Sequence, residues 1–439
     1  MGSVLEDYGT KPVPTDKTKT WFDMGMVVWG LVLCIPAFML GGTLGSKLTM
    51  ADAIIAILLG SAILTVLAIF IGIIGTHTRM GLVMSAKFTF GTANFILAIL
   101  IVISALGWFG IMLEVFGDMT ITVIKALSND TVVLPKWLVL IIGGILMTST
   151  AIFGFKALSM LSVIVVPLLL ILLLVTLFKA SADISIAEIF AKVPNEPMLL
   201  GAAISMVTGA MAAGVSWMPD ITRYSRNKRQ AAFGMVFGMM VGFPLLIILA
   251  TYLGTVSGTH DFVAVMLTFN VGFWALFALF VVITSTWTTN DNNLYSAALA
   301  FNALIPKWPK WVLTTVGGLL GGALGTIAAL LGILGQFINW MMALGIMITP
   351  MAAVMIVDFF LFKSHLYKYS TLNSTPLYRP RAYISWTLGV IVGFLTYFGV
   401  FTLTHASALD AIIVAGVAHL VIMLATGEKF QAFNESETA

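Results

Sequence analysis

The sequence predicts an all-α integral membrane protein, a single bundle of twelve membrane-spanning helices, and three observations carry that expectation. The chain of 439 residues is 60% hydrophobic and 9% charged, with a mean hydropathy of +1.05. That leaves too little polar surface to cover a water-soluble globule. Apolar runs of about 18 or more residues recur along the chain, the length a helix needs to cross a bilayer, whereas a transmembrane barrel would show alternating segments of about ten. Finally, helix breakers and polar residues fall inside particular runs, where irregular backbone is tolerated only if it lines a cavity or is buried in protein.

Hydropathy divides the chain into runs at roughly 24–45, 51–76, 93–117, 136–153, 157–178, 198–219, 232–257, 272–299, 311–331, 336–361, 384–403 and 408–426. They form one transmembrane domain, 21–426, between polar tails at 1–20 and 427–439 that are expected to be poorly ordered. The first five runs, about 24–178, and the next five, about 198–361, make two halves with an odd number of spans; helices eleven and twelve, about 384–426, stand outside them. If the halves are related by inversion, spans one and six occupy corresponding positions, and paired interrupted segments there point to a transport site near the midplane.

With twelve spans both termini lie on one side, and basic residues decide which. Placing the termini in the cytoplasm puts 17 of the 22 Lys and Arg inside and five, Lys47, Lys125, Lys136, Lys179 and Lys192, outside. Such a bias predicts a multi-pass protein of the cell inner (plasma) membrane with both termini cytoplasmic. The chain opens on polar residues, so no cleavable signal is expected.

Several function classes are excluded. The basic residues lie between apolar runs instead of in one patch, which argues against nucleic acid. The single cysteine, Cys34, permits no internal disulfide. No glycine-rich phosphate loop ending in Lys-Ser/Thr occurs, so ATP does not drive the protein directly, and the five scattered histidines form no HExxH.

The interrupted runs supply the candidate site. Pro36 in span one removes a backbone donor and crowds the carbonyl of Val32, so a break around Leu33 to Pro36 would free carbonyl oxygens. Span six carries Thr208, Gly209 and Gly214 near its centre, either as a weak point or as small residues for helix packing. Span eight contains "STWTTNDNN" at 285–293, about 25 Å from either end of the apolar run 272–305. Ser285, Thr288, Thr289 and Asn292 fall at i, i+3, i+4 and i+7, on one face. Such oxygens, joined by freed carbonyls, suit a small cation such as Na⁺, the alternative being a polar seam between helices. In span three, Trp108 between Gly107 and Gly110 lies too deep for an interfacial tryptophan and offers a face for a flat ligand, or ordinary packing. Glu114 and Asp118 fall toward the outer end of that helix, as residues of an extracellular mouth or a proton relay.

The segments "GGTLGSKLTMADAI", "GWFG", "FGFKALSMLSVIVVP", "PDITRYSRN", "WTTNDNNLYSAALAF" and "TPMAAVMIVDFF" together resemble the nucleobase:cation symporter-1 family, within it most of all the bacterial cytosine/purine permeases. The resemblance implies a LeuT-type fold, a 5+5 inverted repeat plus two C-terminal helices. It implies a Na⁺ site made by the carbonyls of Gly30 and Leu33 and the oxygens of Ser285, Thr288 and Thr289. It also implies a substrate site between spans one, three, six and eight at Leu33, Cys34, Ala105, Trp108, Met211 and Ser285.

The chain departs from the cytosine permeases in carrying Ala105, Met211 and Ser285 where they have a glutamine, an aromatic and an asparagine. Losing an amide that pairs with a base edge changes specificity by orders of magnitude. The expectation is a non-enzymatic secondary transporter without organic cofactor, functional as a monomer, importing a nucleobase-like heterocycle of the cytosine/purine class by Na⁺ symport with alternating access. The alternatives are a proton-coupled permease for a hydantoin, allantoin or a pyrimidine vitamin precursor, and a channel.

Overall fold

Every one of the twelve apolar runs overlaps helix in the computed structural model, which describes residues 8–128, 131–153, 155–182, 184–194, 197–258, 262–270, 272–331 and 337–431. Among these residues eight helices are long and apolar enough to cross a membrane, nine if the bent pair of span one counts as one. Lys136–Ala151 and Leu200–Ser216, spans four and six, are apolar but shorter.

Span one is two helices, Trp21–Val32 and Ile35–Lys47. Thr20 starts the first with a reciprocal capping box to Asp23. Leu33 and Cys34 leave helical geometry, and Pro36 falls in the first turn of the second half, where its missing N–H costs nothing. The halves bend by 61° at this break. Span two, Met50–Thr78, is capped by Thr49; span three is Phe95–Ser128 and span five is Phe155–Ala180.

Span six, Leu200–Ser216, differs from the expectation of a weak centre. It runs unbroken through Thr208, Gly209 and Gly214 and turns only at Trp217, ahead of Pro219. Its glycines serve packing: a Cβ on Gly209 would press on Met342, and one on Gly214 would collide with Met211. Span seven comprises Lys228–Met235, a wide turn at Val236–Gly242 and Phe243–Ser257. The Trp29 indole Nε1 donates to the carbonyl of Phe237 in that turn, at 2.7 Å. Spans eight, nine and ten are Phe273–Leu304, Lys310–Leu330 and Phe337–Val357, followed by spans eleven, Pro380–Tyr397, and twelve, Ser407–Ala425.

The helices pack in two groups. Span one's second half lies along span seven, and spans two, six and ten lie against one another. Span eight packs along span three, and spans four and nine complete that group. Span five touches both span eight and the first half of span one. Close approach in the second group needs glycine: Gly110 and Gly325 meet backbone to backbone, so a Cβ on either would strike the other.

The N-terminal tail is docked from residue 8, against the expectation of disorder. Val13 N donates to Arg79 O at 2.9 Å, Lys19 N to Tyr224 O at 2.7 Å, and Trp21 N to the Gln230 side chain at 3.1 Å. Beneath it Arg223, fully buried, donates to Tyr8 O at 2.8 Å and to the Tyr295 hydroxyl at 2.7 Å. A polar tail stays ordered here because it supplies acceptors for a buried guanidinium, which would otherwise cost several kcal/mol.

Candidate functional site

Span eight lays its hydroxyls against the break in span one. Ser285 Oγ donates to Leu33 O at 3.0 Å and Thr289 Oγ1 to Gly30 O at 3.3 Å. Thr288 Oγ1 instead donates within its own helix, to Thr284 O at 2.9 Å, keeping its lone pairs. Oxygens that share a cation at about 2.4 Å stand about 3–3.4 Å apart, so each interhelical pair has the spacing of two ligands of one small cation.

The rest of the motif points to other neighbours. Asn292 Nδ2 donates to Thr288 O at 3.0 Å, Asn290 Nδ2 to Phe109 O in span three at 3.0 Å, and Asn293 Nδ2 to Asn290 Oδ1 at 3.3 Å. Asp291 turns to span four and accepts from Thr150 Oγ1 at 2.7 Å. One polar segment thus serves span one on one side and spans three and four on the other, satisfying its amides as a buried position demands.

Beside the span-one break lies a cavity of about 30 Å³. Cys34, Trp108, Met211 and Thr289 line it, together with Trp217, Phe243, Asn293 and Met341. Its volume is that of about one water. A planar ring is admitted only if the walls part, and the unbranched Met211 and Met341 are the side chains best able to do so.

Of the six residues expected at the substrate, Cys34, Trp108 and Met211 share this wall. Leu33 and Ser285 lie next to it through their mutual hydrogen bond. Ala105 is fully buried one turn before Trp108 and does not reach the cavity. Nor do the glycines around Trp108 clear its face: Gly107 makes room for the Trp340 ring and Gly110 for Gly325. Glu114 and Asp118 share Lys136, the first residue of span four, at 3.2 and 2.9 Å, and tie the second half of span three to it as an ion cluster.

Two wall residues with polar groups escaped the sequence reading. Asn293 lies inside the quoted motif, one turn after Thr289 and at the edge of the hydroxyl face. Trp217 was signalled only by the turn before Pro219; its indole Nε1 is buried and has no partner among the described residues, which leaves a donor for a ligand. Beyond the end of span six, Asp220 accepts from Leu82 N at 2.8 Å, and burial pushes its carboxyl up to about 6 against the opposing pull of Arg223.

A family model described as permease for cytosine/purines, uracil, thiamine, allantoin matches residues 12–425. Cytosine permease of Escherichia coli strain K12 is 29% identical over 355 residues, covering 80% of this chain and 81% of that protein. Hydantoin permease of Microbacterium maritypicum is 23% identical over 449 residues, covering 95% and 88%. Among solved structures, Mhp1, a nucleobase-cation-symport-1 family transporter, in a closed conformation with bromovinylhydantoin bound, aligns with a TM-score of 0.80 at 19% identity over 97% of each chain. A Na⁺-coupled sialic acid symporter in a substrate-bound outward-open state aligns at 0.70 with 11% identity, covering 98% of this chain and 96% of that one. At such identities the structural likeness speaks for the fold, and it is the LeuT-type transporter fold that the resemblance implied.

Proposed function

This chain belongs to the family of permeases for cytosine/purines, uracil, thiamine and allantoin, and from that premise we propose that it imports a planar nucleobase-like heterocycle by Na⁺ symport. It is a membrane transporter, not an enzyme, and works by alternating access. The observation that carries the cation assignment is the paired contact of Ser285 with Leu33 and of Thr289 with Gly30 across the span-one break. Gly30, Leu33, Ser285, Thr288 and Thr289 supply five oxygens, and the cation couples the two helix groups by holding span eight to span one.

Substrate binds in the adjoining cavity, stacked on Trp108, with Cys34 and Met211 on the wall and the Trp217 N–H and Asn293 available to its polar edge. Because Thr289 belongs to both cavity wall and cation set, each ligand orders a residue the other needs, which is the physical basis of coupling. The relatives named for cytosine and for hydantoin support flat, amide-containing rings as the substrate class. The face bearing the 223–229 loop and the docked tail is cytoplasmic in this reading, and the monomer is the functional unit.

The test is uptake into proteoliposomes of a radiolabelled panel of pyrimidines, purines and hydantoins, under an inward Na⁺ gradient and, separately, a proton gradient. Concentrative uptake of a ring compound with Na⁺ alone is expected. Uptake driven by the proton gradient alone would overturn the cation assignment, and flux that never exceeds equilibrium would overturn coupled transport.

A further inference from the structure

A second cavity, of about 450 Å³, opens on the face bearing the 223–229 loop and shares no lining residue with the transport cavity. Its wall carries His77, Arg79, Arg226, Lys228 and Arg229, and no acidic side chain among the described residues. Arg79 ends span two in the left-handed region, at φ 55°, and its carbonyl is held by Val13 N. The backbone is therefore fixed in a conformation that side chains larger than glycine or asparagine rarely adopt. The Nη1 of this arginine is buried with no partner among the described residues. An excess of basic residues on one face is ordinary for a membrane protein; an open cleft lined by three arginines and a lysine, with a buried guanidinium N–H unanswered, points to an anion.

Span two shows where the anion comes from. Leu59, Val66, Phe70 and His77 lie at spacings of 7, 11 and 18 residues from one another's positions, which on a 3.6-residue helix keeps them within about 20° of one line. Leu59, Val66 and Phe70 are 49%, 52% and 40% exposed, so this line faces lipid. Phe360 packs edge-on to Phe70, at 5.2 Å between ring centres, and gives the strip an aromatic flank. Phe70 lies about 10 Å and Val66 about 16 Å along the axis from His77, the span of one leaflet's acyl chains. The apolar strip thus runs straight into the basic cavity.

We propose that this cavity takes the phosphate of an acidic phospholipid, with its acyl chains along the Leu59–Phe70 face. Such a site ties the end of span two to the start of span seven through Lys228 and Arg229, two helices of the same group. It is independent of the substrate assigned above.

The experiment uses the full chain, delipidated in detergent and titrated with dioleoyl phosphatidylglycerol, with dioleoyl phosphatidylcholine and with glycerol phosphate, reading bound lipid by native mass spectrometry. Phosphatidylglycerol is expected to bind preferentially, and Arg226→Gln/Arg229→Gln, both at exposed positions, to weaken it by about thirtyfold. Arg79→Gln, made alone, should weaken it without disturbing the loop. Equal retention of phosphatidylcholine, or unchanged phosphatidylglycerol binding in both variants, would overturn the proposal. Saturation of the site by glycerol phosphate at the concentration where the lipid binds would overturn the lipid as its occupant.

Discussion

The Ser285 hydroxyl reaches the carbonyl of Leu33 at 3.0 Å, joining the middle of span eight to the break in span one across 252 residues of chain. Without the break that carbonyl would accept from an amide four residues on in its own helix. Freed, it becomes an external acceptor, available to a hydroxyl or to a cation that replaces the hydroxyl's proton.

Thr289→Ala should raise the Na⁺ concentration for half-maximal uptake by about ten- to a hundredfold, the loss of one charge-assisted oxygen contact. Alanine suits the helix, so expression should be normal. Measuring initial uptake against Na⁺ concentration decides it; an unchanged curve removes Thr289 from the cation set.

Trp108→Ala should weaken substrate affinity by about 1–3 kcal/mol, the magnitude of a ring stacked on an aromatic plate. Trp108→Phe should restore part of it. If both variants bind the best substrate of the panel as the parent does, the stacking wall lies elsewhere.

Trp217→Phe keeps an aromatic ring and deletes the unpartnered N–H. Affinity should fall by about five- to tenfold for a substrate whose polar edge accepts from it, a neutral hydrogen bond's worth. The informative comparison is a competitor lacking that acceptor, which should bind parent and variant alike.

Cys34 is the only cysteine of the chain and lines the cavity, so the unmodified protein carries its own reporter. Substrate should slow alkylation of Cys34 by a small maleimide in a saturable way, with half-protection at the binding constant. Alkylation at the same rate with and without saturating substrate would place the ligand outside this wall.

A cysteine introduced at Asn227, in a Cys34→Ser background, should react with an impermeant reagent only from the cytoplasmic side, as the 17 to five division of basic residues requires. Labelling from outside intact cells would invert the topology.

The apolar helices, the break at Leu33–Pro36 and the hydroxyl face at Ser285 and Thr289 are written in the sequence, because each is a local property. Bilayer thickness sets the length of an apolar run, proline removes one particular hydrogen bond, and a spacing of four puts two hydroxyls on one helix face. What those faces meet is not local. Asn290, Asp291 and Asn293 are neighbours in one motif, yet they serve span three, span four and the cavity wall, since successive residues on a helix point about 100° apart. The glycines beside Trp108 read as a cleared ligand face until the structure puts Trp340 and Gly325 against them. Trp217 becomes a wall residue only because span six turns there and not at its glycines. The polar N-terminal tail, expected from its composition to be poorly ordered, is held from Tyr8 onward because the buried Arg223 donates to the Tyr8 carbonyl. In each case the deciding partner lies far along the chain, and the cost of leaving a buried donor or charge unanswered, which no run of local sequence expresses, selects the arrangement.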